Sequence, residues 1–379
     1  MRKACYLIPI MALTLFSCSS QENSSISNSN TSDSTNDYST NTIEVAKSLD
    51  LIQVEGRLEV LSDGIAIDYS GSAITFKADC KGTVSASITS DITNYDESKN
   101  GERGLTLFSI FVDGERTLIN QAVTKETREL VLTTNLEGGI HTISLVRQTN
   151  VYMSIATIHS LTLSGKLLSS SKKKAFIEYI GDSYTTGYSL QGAKEEGGYD
   201  SAYDDPIDAY AYHSASILDA DYSLTAFSGA GFAYGYTPFT VKEVYPYLNY
   251  FRSKEEYYSP ERSADLIVIN LGTNDVSQVG FNNYHTQIEK SITDLVEEAF
   301  SSYGDKNIPL IFCTDATHEN NDSLITEAMK NNLSDVPYEL VCLTTNNQKY
   351  NGHPDKECGN KQGEELAKAI KEYLPDLFN

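Results

Sequence analysis

Between about Leu49 and Gly165 the apolar residues of this chain recur at every second position, and beyond the stretch Ser169 to Lys174 they no longer do. This change of period constrains the fold strongly. Alternation suits strands with one wet face, whereas short continuous apolar runs suit buried parallel strands. In the first region Thr83 to Thr89 alternates Val84, Ala86 and Ile88 with polar neighbours. Similar runs occur at Ala73 to Phe76, Leu105 to Val112, Leu130 to Thr134, His141 to Val146 and Ile155 to Leu163. Asp113-Gly114 and Gly138-Gly139 read as hairpin turns between them. Many short strands without a convincing helix predict an all-β, jelly-roll-like sandwich over residues 45–167.

The second region, residues 174–379, reads differently. Phe176 to Ile180, Leu266 to Leu271, Leu310 to Phe312 and Leu340 to Leu343 are short apolar runs. Helical patterns lie between them: Ile288, Ile292, Leu295, Ala299 and Phe300 share one face of the stretch Asn283 to Tyr303, and Leu366, Ile370 and Leu374 repeat every four residues near the end. Alternating strand and helix predicts a three-layer α/β domain around a parallel sheet. Two domains also suit a chain of 379 residues.

The N-terminus carries a separate message. Arg2 and Lys3 precede the apolar run Tyr6 to Phe16 and then Leu15-Phe16-Ser17-Cys18, the layout of a bacterial secretion signal ending in a lipobox. The run is too short to cross about 30 Å of hydrocarbon as a helix. Residues 1–18 are therefore read as a lipoprotein signal peptide with Cys18 as the lipidated residue, and a plain secretory signal is the alternative. Residues 19–44, dominated by Ser, Asn, Thr and Asp, bury too little to fold and read as a disordered tether. The expected location is the bacterial cell envelope, exported and lipid-anchored, at the cell surface or in the periplasm. The remaining mature cysteines, Cys80, Cys313, Cys342 and Cys358, show no metal-ligand spacing. Cys342 and Cys358 bracket His353, as a disulfide or as two separate thiols. A formal charge of −23 repels nucleic acid and anionic head groups, leaving a neutral or polymeric partner, although an acidic surface also serves solubility.

In an open α/β sheet reactive groups gather beyond the carboxyl ends of the strands. Gly181-Asp182-Ser183 follows the first apolar run there, Ser228-Gly229-Ala230-Gly231 follows a strand at Tyr222 to Ala226, and Gly272-Thr273-Asn274-Asp275 follows the next. His353 precedes Pro354 just before the last helix. A serine hydroxyl needs a base to take its proton, and histidine has a suitable pKa, so Ser183 and His353 form a candidate catalytic pair. The backbone N–H groups of Ser183 and Gly229 and the side-chain amide of Asn274 are candidate oxyanion donors, with Gly231 the second choice for the glycine. Taken singly, Gly-Asp-Ser is more often a turn and a lone His more often structural; order along the chain is what joins them. Asp182 and Asp275 read as caps, and His141, His159, His213, His285 and His318 as structural.

The blocks Ile177 to Ser183, Ser228-Gly229, Asn270 to Asp275 and Gly352-His353-Pro354 resemble the four blocks of the SGNH (GDSL-type) hydrolases. The resemblance places Ser183, Gly229, Asn274 and His353 on the four residues that name that superfamily. A β-sandwich leading into Phe176-Ile-Glu-Tyr-Ile-Gly-Asp-Ser-Tyr184 is similar to carbohydrate esterase family 2, as is the segment from Asp208 to Gly231. The resemblance covers about residue 50 to the end. It implies an O-acetyl esterase acting on a plant-type polysaccharide such as xylan or glucomannan, monomeric, with no metal or cofactor. Other acylated glycans (sialic acid, peptidoglycan) or a lipid, and a non-catalytic glycan-binding lipoprotein, are the alternatives. One departure stands out: Tyr350 occupies the position three before the histidine where most SGNH hydrolases carry an Asp to orient it. A Ser-His dyad oriented by a backbone carbonyl accommodates this, and Asp355 or Asp315 would be the substitutes. The tyrosines Tyr234, Tyr236, Tyr245, Tyr247, Tyr250, Tyr257 and Tyr258 either stack on sugar rings or pack on one another.

Overall fold

The computed structural model describes residues 38–92, 105–193, 200–279, 285–315, 320–345 and 348–378, and among these nine antiparallel strands precede five parallel ones. The antiparallel strands are β1 (Thr40–Glu44), β2 (Ile52–Glu55), β3 (Glu59–Leu61), β4 (Gly64–Ala66), β5 (Ala73–Ile92), β6 (Thr106–Val112), β7 (Glu115–Val123), β8 (Glu129–Arg147) and β9 (Ser154–Leu168). They hydrogen-bond in the order β3-β4-β9-β5-β8-β6-β7, with β1 added to β9 and β2 to β5. The alternation predicted for β5 is present: Phe76, Ala78, Cys80, Val84, Ala86 and Ile88 are all fully buried in one core with Leu161 and Leu163 of β9.

Three details depart from the sequence reading. The runs Ala73 to Phe76 and Thr83 to Thr89 are one 20-residue strand, β5, whose pairing slips register around Gly82. Gly138-Gly139 is not a hairpin turn but lies inside β8, where Gly139 pairs with Cys80 beside that slip, so the glycines let a long strand bend rather than end. Asp113-Gly114 does turn the chain between β6 and β7, with φ of 53° and 84°. Finally, Thr40–Glu44, assigned by composition to the tether, pairs with β9. A polar strand can hold an edge when its side chains pair: Asn41 Nδ2 donates to Gly165 O at 2.7 Å, and Thr40 meets Ser164 at 3.0 Å. The signal peptide with Cys18 and the start of the tether lie outside the described residues.

The parallel strands β10 (Phe176–Gly181), β11 (Asp221–Ala226), β12 (Leu266–Asn270), β13 (Leu310–Asp315) and β14 (Tyr338–Leu343) are ordered β11-β10-β12-β13-β14. A small hairpin, β15 (Gln348–Tyr350) and β16 (His353–Pro354), follows. The α-helices among the described residues are α1 (Ser183–Thr186), α2 (Tyr210–Ile217), α3 (Val241–Val244), α4 (Thr273–Val279), α5 (His285–Tyr303), α6 (Asn320–Asn332), α7 (Lys356–Tyr373) and α8 (Pro375–Phe378). Helices α2 and α7 bury Tyr210, Ala211, Ala215, Leu366 and Ile370 on one sheet face. On the other face α5 and α6 bury Ile288, Ile292, Leu295, Leu324 and Ile325. This is the predicted three-layer arrangement; Asn283, placed in the α5 pattern, falls outside the described residues. No helix among the described residues is long and apolar enough to cross a membrane.

Residues from Tyr38 onward form one compact unit, and Arg57 pins its two sheets together. It leaves the sandwich just after β2 and is buried beneath the α/β domain. Its guanidinium donates to Thr225 Oγ1 at 3.1 Å and to the carbonyls of Tyr245 and Tyr247 at 2.5 and 2.6 Å, and pairs with Glu178 at 3.3 Å. The rings of Tyr258 and Tyr245 lie 3.7 and 4.4 Å away. Burial works against the Arg57 charge, but Tyr69, Glu178, Tyr245 and Tyr258 outweigh it and hold the guanidinium above its ordinary pKa.

Candidate functional site

Strand β10 lies between β11 and β12, so the turn that follows it emerges at a crevice on the sheet's carboxyl edge, one strand in from β11. There Asp182 caps α1: its Oδ1 accepts the Tyr184 N–H at 3.0 Å, fixing Ser183 as the first helical residue. His353 reaches the same point from β16, with Nε2 2.7 Å from Ser183 Oγ. Its Nδ1 lies 2.9 Å from Asn351 O. A carbonyl can only accept, so Nδ1 carries the proton and Nε2 is left to accept from the serine. Burial pulls the imidazole below its ordinary pKa of 6.5, and the bond to Asn351 O opposes this only in part. The rings of Tyr188 and Tyr184 flank the imidazole, centroids 4.7 and 5.5 Å away.

The orienting carbonyl comes from a turn the sequence reading passed over. Asn351 and Gly352 have φ of 51° and 73° and close the β15–β16 hairpin, with Tyr350 paired to His353 across it. Asn-Gly is the strongest short hairpin signal, and it stands immediately before the histidine. Of the two substitute carboxylates only Asp355 is described, and it is not placed on His353. Asp355 caps α7, accepting the Cys358 N–H at 3.0 Å, and the side chain of Asp315 lies outside the described part.

The loop after β11 is shaped by two glycines and an aspartate. Gly229 has φ of 82°, a left-handed conformation costly for any residue with a Cβ. A Cβ on Gly231 would overlap Tyr234 O and Asp275 Oδ2, so its role is close packing. Asp275, buried in α4, accepts the N–H groups of Phe232, Ala233 and Tyr234 at 2.8, 2.7 and 2.8 Å. Burial raises its pKa against the pull of those three bonds. Asn274 Nδ2 donates to Asp182 Oδ2 at 3.0 Å and to Ala230 O at 2.9 Å, tying the Ser183 turn to the glycine loop. Both of its amide protons therefore have protein acceptors, whereas the backbone N–H groups of Ser183 and Gly229 have none among the described residues. Ser183, His353, Gly229 and Asn274 are thus gathered at one place.

The tyrosines divide. Tyr245 and Tyr258 are buried on Arg57, as self-packing would require, while Tyr236 is 64% exposed and its Cβ would lie 3.5 Å from a Cβ on Gly229. Cys342 and Cys358 are not joined by a disulfide: Cys342 is exposed, and the buried Cys358 thiol donates to Thr344 O at 3.6 Å. Histidines read as isolated have partners, His141 at 2.7 Å from Asp113 and His159 at 2.9 Å from Thr89; His318 lies outside the described residues. His285, Glu289 and Glu327 bring ligand atoms within 4.8 Å of one another, a grouping that spacing alone missed because Glu327 comes from a second helix.

Comparison with known proteins gives the same architecture. Residues 54–170 match the carbohydrate esterase 2 N-terminal domain. Over 220 residues, 55% of the chain, it is 31% identical to the cellulase/esterase CelE of Acetivibrio thermocellus, of which it covers 26%. Over 238 residues, 60% of the chain, it is 27% identical to the acetylxylan esterase/glucomannan deacetylase of Cellvibrio japonicus, of which it covers 61%. The chain thus spans about a quarter and about three fifths of these two relatives. A family two carbohydrate esterase from Clostridium thermocellum, solved in complex with cellohexaose, superposes with a TM-score of 0.74 at 24% identity, covering 86% of this chain and 99% of that one. Residues 54–170 thus match the N-terminal domain of the family 2 carbohydrate esterases, and the two-domain fold is similar to that of solved esterases of that family.

Proposed function

We propose that the chain is a serine esterase that removes acetyl groups from a neutral polysaccharide through the pair Ser183 and His353. The observation that carries this reading is the 2.7 Å contact between Ser183 Oγ and an imidazole nitrogen that must be unprotonated, because the other nitrogen donates to Asn351 O. His353 takes the hydroxyl proton as Oγ bonds to the ester carbonyl carbon. The carbonyl oxygen, now negative, is met by the N–H groups of Ser183 and Gly229, and Asn274 shares one of its amide protons with it. His353 then gives its proton to the departing sugar oxygen. Water, deprotonated by the same imidazole, attacks the acetyl-serine and releases acetate with Ser183 restored. Asn351 O takes the orienting role that a carboxylate has in a triad.

The depressed pKa of His353 has a sign that can be tested. The base works when neutral, so activity is full above its pKa and lost as pH falls through it. The acid limb of kcat/KM on p-nitrophenyl acetate is expected to have its midpoint below 6.5, and a midpoint above 7 contradicts a buried dyad without a carboxylate. Asp355→Ala is expected to leave that profile and kcat within about twofold while lowering stability by about 1 kcal/mol through the lost cap of α7. A loss of activity exceeding tenfold would restore Asp355 as a third member.

Polysaccharide is favoured by the exposed Tyr236 beside Gly229 and by the relatives' names, one an acetylxylan esterase/glucomannan deacetylase and one a structure holding cellohexaose. Acetate release from acetylated xylan, glucomannan and pectin ranks the substrates. Lipid anchorage through Cys18 at the cell envelope belongs to the same proposal, since an insoluble polymer must be met outside the cell. Cells fed labelled palmitate should label the wild-type chain and not Cys18→Ala; equal labelling removes the anchor.

A further inference from the structure

A cleft of about 500 Å³ opens at the end of the α/β sheet opposite Ser183. Its lining includes Phe176 at the start of β10, Asp221 and Tyr222 at the start of β11, and Arg262 just before β12, whereas Ser183 follows the far end of β10. Seven residues of extended chain at about 3.3 Å each separate the two places by roughly 20 Å. Both domains contribute walls: residues around β2 and β3, the linker at Ser170 and Ser171, and the loop that carries Tyr257 to Arg262.

The rim is marked by exposed apolar groups. Tyr257 is 66% and Val60 54% exposed, and among the described residues the exposed aromatic rings are Tyr257 here and Tyr236 beside Gly229. Tyr257 is backed by Tyr247, whose ring lies 5.1 Å away at 27°, forming a supported platform. Below it the lining turns polar. Asp221 accepts from Gln53 Nε2 at 2.6 Å and from Arg262 Nη1 at 2.9 Å, and Asp50, Ser259 and Glu261 add hydroxyl and carboxylate groups.

The charged side chains of the lining are Asp50, Asp221 and Glu261 against Lys172 and Arg262, a balance that gives an anionic ligand no cationic cluster. Arg262 is neutralised by Asp221 and Asp265, and the chain as a whole carries −23. An aromatic face over acceptors and hydroxyls suits a ligand with C–H faces and hydroxyl edges, and the volume lies within the range of small-ligand sites. We propose that this cleft is a second binding site for a neutral polysaccharide chain, holding the polymer about 20 Å from the ester-cleaving pair. The proposal takes from the function above only that the substrate is a neutral polymer. A chain held there raises the local concentration of its other segments near Ser183, so the site acts on polymer and not on small esters.

The test uses the full chain with Ser183→Ala, which cannot turn over, and deacetylated glucomannan or xylan in affinity electrophoresis. Tyr257→Ala and, separately, Val60→Arg should weaken retention at least about fivefold, both being surface changes remote from the core. In the active background the same two changes should raise KM on acetylated polymer and leave p-nitrophenyl acetate turnover unchanged. Retention equal to the Ser183→Ala parent in both variants, or no retention of that parent by either polymer, overturns the proposal. Failure of the wild type to hydrolyse p-nitrophenyl acetate, with retention still dependent on Tyr257, would overturn the esterase reading and leave the cleft standing.

Discussion

Ser183→Ala is expected to lower kcat for p-nitrophenyl acetate, and for acetate release from polymer, by at least about 10³-fold while the protein unfolds at nearly the same temperature. The two halves of this result have separate causes. Deleting Oγ removes the atom that bonds to carbon, and what remains is the oxyanion donors and substrate binding, worth roughly 10³ to 10⁴ over water in serine hydrolases. The structural loss is small because the deleted atom's hydrogen bond is to His353, and a single such bond contributes about 1 kcal/mol. His353→Ala should lose about as much activity, and the double variant should be no worse than either, since the two side chains act as one unit. A Ser183→Ala enzyme retaining a tenth of wild-type kcat would end the mechanism, and a double variant tenfold slower than each single one would show that they act apart.

The second large effect is on stability. Arg57→Met is expected to lower the unfolding free energy by about 3–5 kcal/mol, read from urea denaturation, because it leaves Glu178 as a buried carboxylate without its cation. Glu178 would keep hydrogen bonds from Thr225 and from Tyr245, at 2.8 and 2.9 Å, but neither carries charge. Adding Glu178→Gln to Arg57→Met should recover part of the loss, since an amide is far less costly to bury than an ion. The same substitution strips the rings of Tyr245 and Tyr258 of the charge they enclose, so part of the loss remains in the double variant. An Arg57→Met chain as stable as wild type would mean that the two sheets are held by their other contacts, among them Arg252 with Asp68 and Tyr222 with Gly71.

These two residues also divide what could be read in advance from what could not. Ser183 and His353 are 170 positions apart, and they were paired because a parallel sheet delivers its loops to one edge in a fixed order. The strands behind that order were legible because buried parallel strands are short, apolar and bounded by turn residues. Arg57 gave no such sign. Its partner did: Glu178 interrupts the apolar run Phe176 to Ile180 at a position with no access to water, and a charge there demands a counter-charge from somewhere. The sequence says that a partner must exist without saying which segment supplies it, because that depends on how two independent sheets dock. The same limit hid the break between short strands and the bent 20-residue β5, since period two is identical in both. It also let polar composition stand for disorder at Thr40–Glu44, where hydrogen bonding at a sheet edge replaces apolar burial.

The group that orients His353 is a main-chain oxygen two residues upstream on the same hairpin. No exchange of side chain can delete it, so under the proposed mechanism a scan of side chains would find no acid behind the histidine. Base and orienter also travel together: if the hairpin swings away and returns, the imidazole arrives with its tautomer already set, and only the serine has to be found again. What selection can act on is the turn itself, where left-handed φ at Asn351 and Gly352 narrows the residues that keep the carbonyl aimed. The proposed mechanism therefore depends on a backbone shape where a triad depends on an acid.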